Sequence, residues 1–184
     1  MKAALLLTAS AMMLVCCGPR MTREQIVDCG ETAYSDIVSY IVEGFQSHWE
    51  DACPQEMDLS SVYTYCSPYA GFAQTDIDGD GFDELLIGDQ FEDGSYLLYD
   101  ICCFSKKDVS LIHLASGGER DTFTVREGGV IVESGSSSAC DSFVKGFKIE
   151  DDKLVGLEDE ALESDVLPLK LERFSGLSQE SINN

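Results

Sequence analysis

Basic residues are scarce in this sequence: 12 lysines and arginines stand against 34 aspartates and glutamates, for a formal net charge of -22. Such a surface repels phosphate backbones and argues against nucleic acid as a partner. Histidine is scarcer still, with only His48 and His113 available as neutral-pH bases. His48 reads as a group at the end of a helix, and His113 as a partly buried strand residue, rather than as catalytic groups. No two cysteines are spaced Cys-x-x-Cys, which argues against a zinc knuckle or a thioredoxin-type redox site. Glycine-rich phosphate loops are absent. The hydroxyl-rich run Ser134-Gly135-Ser136-Ser137-Ser138 lacks the context of a nucleophile elbow and reads as a flexible hairpin loop.

What is present suffices for one core. The chain has 184 residues, 44% of them hydrophobic, within the usual range of a single domain. Lys2 precedes the apolar run Ala3 to Val15, which is too short for a spanning helix of roughly 20 residues and reads as a signal peptide over 1–16. The segment Leu14-Val15-Cys16-Cys17 resembles a bacterial lipoprotein signal with Cys17 as the acylated residue. It departs from that pattern at Cys16, where a small residue is usual, and ordinary cleavage would release a soluble product instead. The expectation is an extracytoplasmic protein, at the cell surface or in the periplasm, held to the membrane through lipid on Cys17. Of the remaining cysteines, Cys29, Cys53, Cys66, Cys102, Cys103 and Cys140 form an even set, which in an exported chain predicts disulfides. Cys102 and Cys103, adjacent in a strand, should point to opposite faces.

Ile26, Tyr34, Ile37, Val38, Ile41, Val42 and Phe45 recur at three- and four-residue steps and predict an amphipathic helix. Thr22 can cap its start, Gly30 offers a break into two pieces, and Pro54 ends it near Asp51. From Tyr69 onward, short apolar or alternating runs predict strands: Tyr69–Thr75, Glu84–Ile87, Tyr96–Phe104, Val109–Ala115, Thr122–Arg126, Val130–Glu133, Phe143–Glu150 and Lys153–Leu157. Asp93-Gly94, Gly117-Gly118, Gly128-Gly129 and Asp151-Asp152 separate them as turns. Connections this short imply antiparallel pairing. The predicted fold is α+β, an N-terminal helical segment packed on an antiparallel β meander, forming one domain over 21–165. The stretch 166–184, interrupted by Pro168, is expected to be a weakly structured tail.

Chemistry is concentrated in Asp76-Ile77-Asp78-Gly79-Asp80-Gly81-Phe82-Asp83-Glu84. Calcium takes six to eight oxygen ligands, several of them charged. Acids at loop positions 1, 3 and 5 (Asp76, Asp78 and Asp80) point inward, and Gly81 at position 6 permits the turn around an ion. Phe82 at position 7 can offer its carbonyl, and Glu84 at position 9 can close the shell directly or through water. Magnesium's small octahedral shell suits such a loop less well. Ile87 stands where an EF-hand needs a bidentate Glu, so the loop is not an EF-hand.

The loop is similar to the calcium loops of integrin-type β-propeller repeats, in which side chains at positions 1, 3, 5 and 9 and the carbonyl at 7 hold the ion. The motif occurs once, so no propeller can be built from it. The longer run Tyr69 to Ile87 resembles a segment of small exported bacterial lipoproteins of uncharacterised function that carry a single such loop. That resemblance implies calcium binding and surface localisation, and brings no reaction. The function expected is a non-enzymatic binding module with one structural calcium site and a protein or glycan partner. The alternative is a small extracytoplasmic hydrolase, for example glycan-directed, using carboxylates that no spacing singles out.

Overall fold

The computed structural model describes residues 21–47, 62, 64, 69–138, 141–158 and 164–174. His48, Trp49, Cys17, Cys53, Cys66 and Cys140 lie outside them.

Helix α1 runs Arg23–Gln46 without a break. Its start is set as the sequence implied: Thr22 Oγ1 accepts from the Gln25 amide, and the Gln25 side chain accepts from the Thr22 amide. This capping box satisfies two amides that would otherwise lack helical partners. The break expected at Gly30 does not occur. Gly30 is a packing residue, because a Cβ there would sit 3.3 Å from the Phe104 ring. Its absence lets the helix settle closely on the sheet.

Among the described residues nine strands follow: β1 (Ala70–Thr75), β2 (Glu84–Gln90), β3 (Tyr96–Ser105), β4 (Ser110–Ser116), β5 (Asp121–Arg126), β6 (Val130–Ser138), β7 (Asp141–Glu150), β8 (Lys153–Leu157) and β9 (Glu172–Arg173). All pair antiparallel, so the architecture is α+β, an N-terminal helix and one large sheet among the described residues. The order β8-β7-β6-β5-β3-β2-β1-β9 departs from a simple meander at β3, whose one edge serves two partners. β4 pairs with its C-terminal half, and β5 meets it at Leu98–Phe123. There the sheet forks.

Alternation along the central strands divides the core in two. Leu85, Ile87, Cys102 and Phe104 face α1, packing with Tyr34, Ile37, Ile41 and Phe45. Leu86 and Ile101 face the other way and pack with Leu98, Phe123, Ile131 and Ile149. The β5–β8 wing therefore curls back over the second face. Its tip is pinned by Asp152, which accepts a hydrogen bond from the buried Ser105 hydroxyl at 2.7 Å. Asp151 and Asp152 both take positive φ, the backbone of a tight two-residue hairpin between Glu150 and Lys153.

Two expectations are corrected. Ser134 to Ser138 is strand, the second half of β6, paired with β7 from Ser138–Asp141 to Ser134–Val144. The Phe143 ring packs over Gly135, giving this polar stretch an apolar cover. The fold also continues past residue 165. Leu171 and Phe174 are buried, and β9 extends the sheet beyond β1. Between them and the wing, Gln90 donates to the Leu169 carbonyl and accepts from the Leu171 amide, as a neighbouring strand would.

Cysteines 102 and 103 do face opposite sides, Cys102 toward α1 and Cys103 on the face of β3 that carries Ile101. Burial pushes the Cys103 thiol up to about 12, with further contributions from Asp152, Glu84, Asp78 and Asp80. Cys29 and Cys103 are free thiols, and no disulfide joins two described residues. Among the described residues no helix is long and apolar enough to cross a membrane.

Candidate metal centre

The loop between β1 and β2 joins two strands whose last ladder pair is Thr75–Glu84. Because both ends are fixed by that pair, the intervening eight residues must fold back on themselves. Gly79 and Gly81 permit this with φ of 80° and 84°. Asp76 then organises the turn: its Oδ1 accepts from the Gly79 and Asp80 amides at 2.8 and 3.1 Å, and its Oδ2 from Gly81 at 2.8 Å. Asp78 accepts from the Asp80 amide at 3.0 Å, and Asp80 from the Phe82 amide at 2.8 Å.

Ligand oxygens of Asp76, Asp78 and Glu84 come within 4.8 Å of one another, and these three carboxylates could hold a metal ion. Asp76 and Asp78 are exposed, whereas Glu84 is 3% exposed. Glu84 opens β2 on the face that carries Leu86, at the mouth of the second core, where Ile77 closes the apolar layer. Its Oε2 accepts from the Ile77 amide at 2.9 Å. Burial pushes the Glu84 carboxyl up to about 8; the Ile77 amide opposes this, and repulsion from Asp78, Asp80 and Asp76 adds to it. Partial burial raises Asp78 as well, with repulsion from Asp80 and Asp76 working in the same direction and the Asp80 amide and Lys106 against it.

Three of the five residues expected to ligate are thus gathered; Asp80 is engaged elsewhere, and Phe82, whose carbonyl was the expected ligand, has its ring between cations. Asp80 turns its Oδ2 to the Lys106 ammonium. The Phe82 ring lies between two cations, 5.3 Å from the Arg23 guanidinium carbon and 4.6 Å from Lys106 Nζ. Arg23 also donates to the Gly81 carbonyl at 3.0 Å, and the Tyr34 hydroxyl donates to the Asp83 carbonyl at 2.7 Å. Burial holds the Tyr34 phenol well above its ordinary range, Glu84 being the next cause, so it remains a donor.

Arg23, Tyr34 and Lys106 brace the loop from α1 and from the β3–β4 turn, and periodicity and spacing did not point to them. The one local signal was Lys106-Lys107, the sole adjacent basic pair in the sequence.

Away from the loop, His113 is bonded within the fold. Its Nε2 lies 2.8 Å from Asp100 Oδ1, which also accepts from the Ser116 hydroxyl at 2.7 Å, while Asp100 Oδ2 accepts from the Val62 amide at 3.1 Å. Beside the loop a groove of about 120 Å³ runs between α1 and Gly81–Asp83, lined by Val27, Gly30, Glu31 and Phe104 among others. It is small against a ligand pocket, which typically measures about 300–1,000 Å³. No protein-family model, curated protein or solved structure matches the chain.

Proposed function

We propose that this protein is an exported, lipid-anchored binding module whose β1–β2 loop holds one structural calcium ion. One observation carries the metal reading: the nearly inaccessible Glu84 carboxylate shares its surroundings with Asp76 and Asp78 rather than with a basic side chain. A buried carboxylate among other acids is unfavourable unless a cation or a proton joins it. A divalent ion answers the repulsion of all three at once. Calcium fits better than magnesium because its larger, more flexible shell accepts many carboxylate and carbonyl oxygens. Asp76, Asp78 and Glu84 would supply the first ligands, with Asp80 and the Phe82 carbonyl completing the shell. The ion would tie β1 to β2 and seal the end of the second core.

The rest of the proposal comes from the sequence. The N-terminal segment supports export with Cys17 as anchor, and the acidic surface suits a soluble body outside the cytoplasm, with a protein or glycan as partner.

Thermal melting of the purified protein in calcium, in magnesium and in chelator tests the loop. Calcium should raise the midpoint by about 5 °C or more, by mass action on the folded state, with magnesium giving less. Asp78→Ala should abolish the response. Equal melting in all three solutions would leave the loop an acidic turn and no more.

A further inference from the structure

The two expected ligands that stand outside the carboxylate group share a neighbour. Lys106, in the β3–β4 turn, donates to Asp80 and covers the ring of Phe82. On the calcium reading of the loop, we propose that Lys106 is a built-in competitor for the metal, bound to loop position 5 in the metal-free protein and displaced when the cation enters.

The electrostatics favour such an exchange. An ammonium beside Asp80 offsets part of the repulsion among Asp76, Asp78 and Asp80 and keeps the turn closed without an ion. A divalent cation does so more fully, because it draws in several oxygens at once while Lys106 meets one carboxylate. The side chains of Lys106 and Asp80 are 36% and 33% exposed, so the pair is solvent-screened and weak enough to open. The loop need not collapse when it does. Arg23 still holds the Gly81 carbonyl and stays against the Phe82 ring, and Asp76 still gathers the amides of Gly79, Asp80 and Gly81. What changes is the rotamer of Asp80 and the position of Lys106. The consequence is a site tuned to weaker binding than its carboxylates alone would provide, with the β3–β4 turn released on loading.

Calorimetric titration of calcium into the wild type, Lys106→Met and Lys107→Met separates competition from the mere loss of a positive charge. Lys107 lies in the same turn with the same charge and is exposed. Lys106→Met should bind about three- to fivefold tighter, the size of a partly exposed ion pair, and Lys107→Met should change affinity by less than about twofold. Proton NMR gives a readout independent of affinity. The Lys106 Hε methylene should be shifted upfield by the Phe82 ring in chelator and should move to the ordinary lysine position at saturating calcium. Equal effects of the two substitutions, or an Hε signal that stays upfield with calcium bound, would overturn the competitor while leaving the calcium site standing. Calcium heat from none of the three proteins would overturn both.

Discussion

Glu84 and Asp100 are both carboxylates sealed in the fold, 3% and 0% exposed, yet their surroundings differ in kind. Asp100 is met from β3 outward by His113 and Ser116 of β4 and by the Val62 amide, so both of its oxygens have partners. Glu84 accepts from the Ile77 amide, and the carboxylates of Asp76 and Asp78 lie beside it. A buried acid supplied with donors is a finished piece of core. One surrounded by other acids calls for something from outside the chain. That contrast, rather than the number of acids, marks the loop as the candidate metal centre and the Asp100 cluster as architecture.

The sharpest break of this comparison is Asp100→Ala. It would leave the buried Val62 amide, the half-buried His113 ring and the Ser116 hydroxyl without their common acceptor. Unsatisfied buried groups are costly, so unfolding in urea should show a loss of about 3 kcal/mol. The loss should be the same in calcium and in chelator. A loss that depended on calcium would mean that the two acids are parts of one site.

Glu84→Gln should behave oppositely in the two solutions. In chelator at pH 8 it removes a buried charge from an acidic neighbourhood while leaving an oxygen to accept from Ile77, and the variant should melt higher than the wild type. In calcium it removes a ligand and should melt lower, with each difference about 5 °C. The pH dependence follows from the same group. Its carboxyl titrates near 8 in the fold against an ordinary 4.5, so between those values the unfolded chain releases a proton that the folded one keeps. The metal-free protein should therefore be most stable below about pH 4.5 with respect to this group, and should lose that stability as pH rises toward 8. Melting curves from pH 5 to 8 in chelator should fall for the wild type relative to Glu84→Gln, and saturating calcium should flatten the wild-type slope.

Legibility in the sequence follows range. Helix α1 could be read because Tyr34, Ile37, Ile41 and Phe45 repeat at its own period, and the loop because all its expected ligands fall between Asp76 and Glu84. The serine half of β6 was hidden because its strand character comes from the β7 ladder and the Phe143 ring rather than from its own side chains. Leu167, Leu169 and Leu171 alternate as a buried extended segment should. Pro168 obscured them, although the neighbouring contacts there use carbonyls of Leu167 and Leu169 and need no amide from the proline. Arg23, Tyr34 and Lys106 could not be found locally, since each reaches the loop across the fold.

The smallest effect concerns the turn that links the two regions. β3 and β4 carry Asp100 and His113 toward one end of their hairpin and Lys106 in the turn at the other. In that turn Val109 adopts a φ of 48° and is 38% exposed. A β-branched residue in the left-handed region is strained, and glycine there is not. Glycine also adds freedom to the unfolded chain, which offsets part of the relief. Val109→Gly should therefore stabilise by about 0.5–1 kcal/mol, a rise of about 2 °C in melting temperature. The gain should appear equally in calcium, in chelator and in the Asp100→Ala background, because relief of backbone strain depends on neither carboxylate. A gain confined to chelator would show instead that the turn's conformation is coupled to the metal through Lys106.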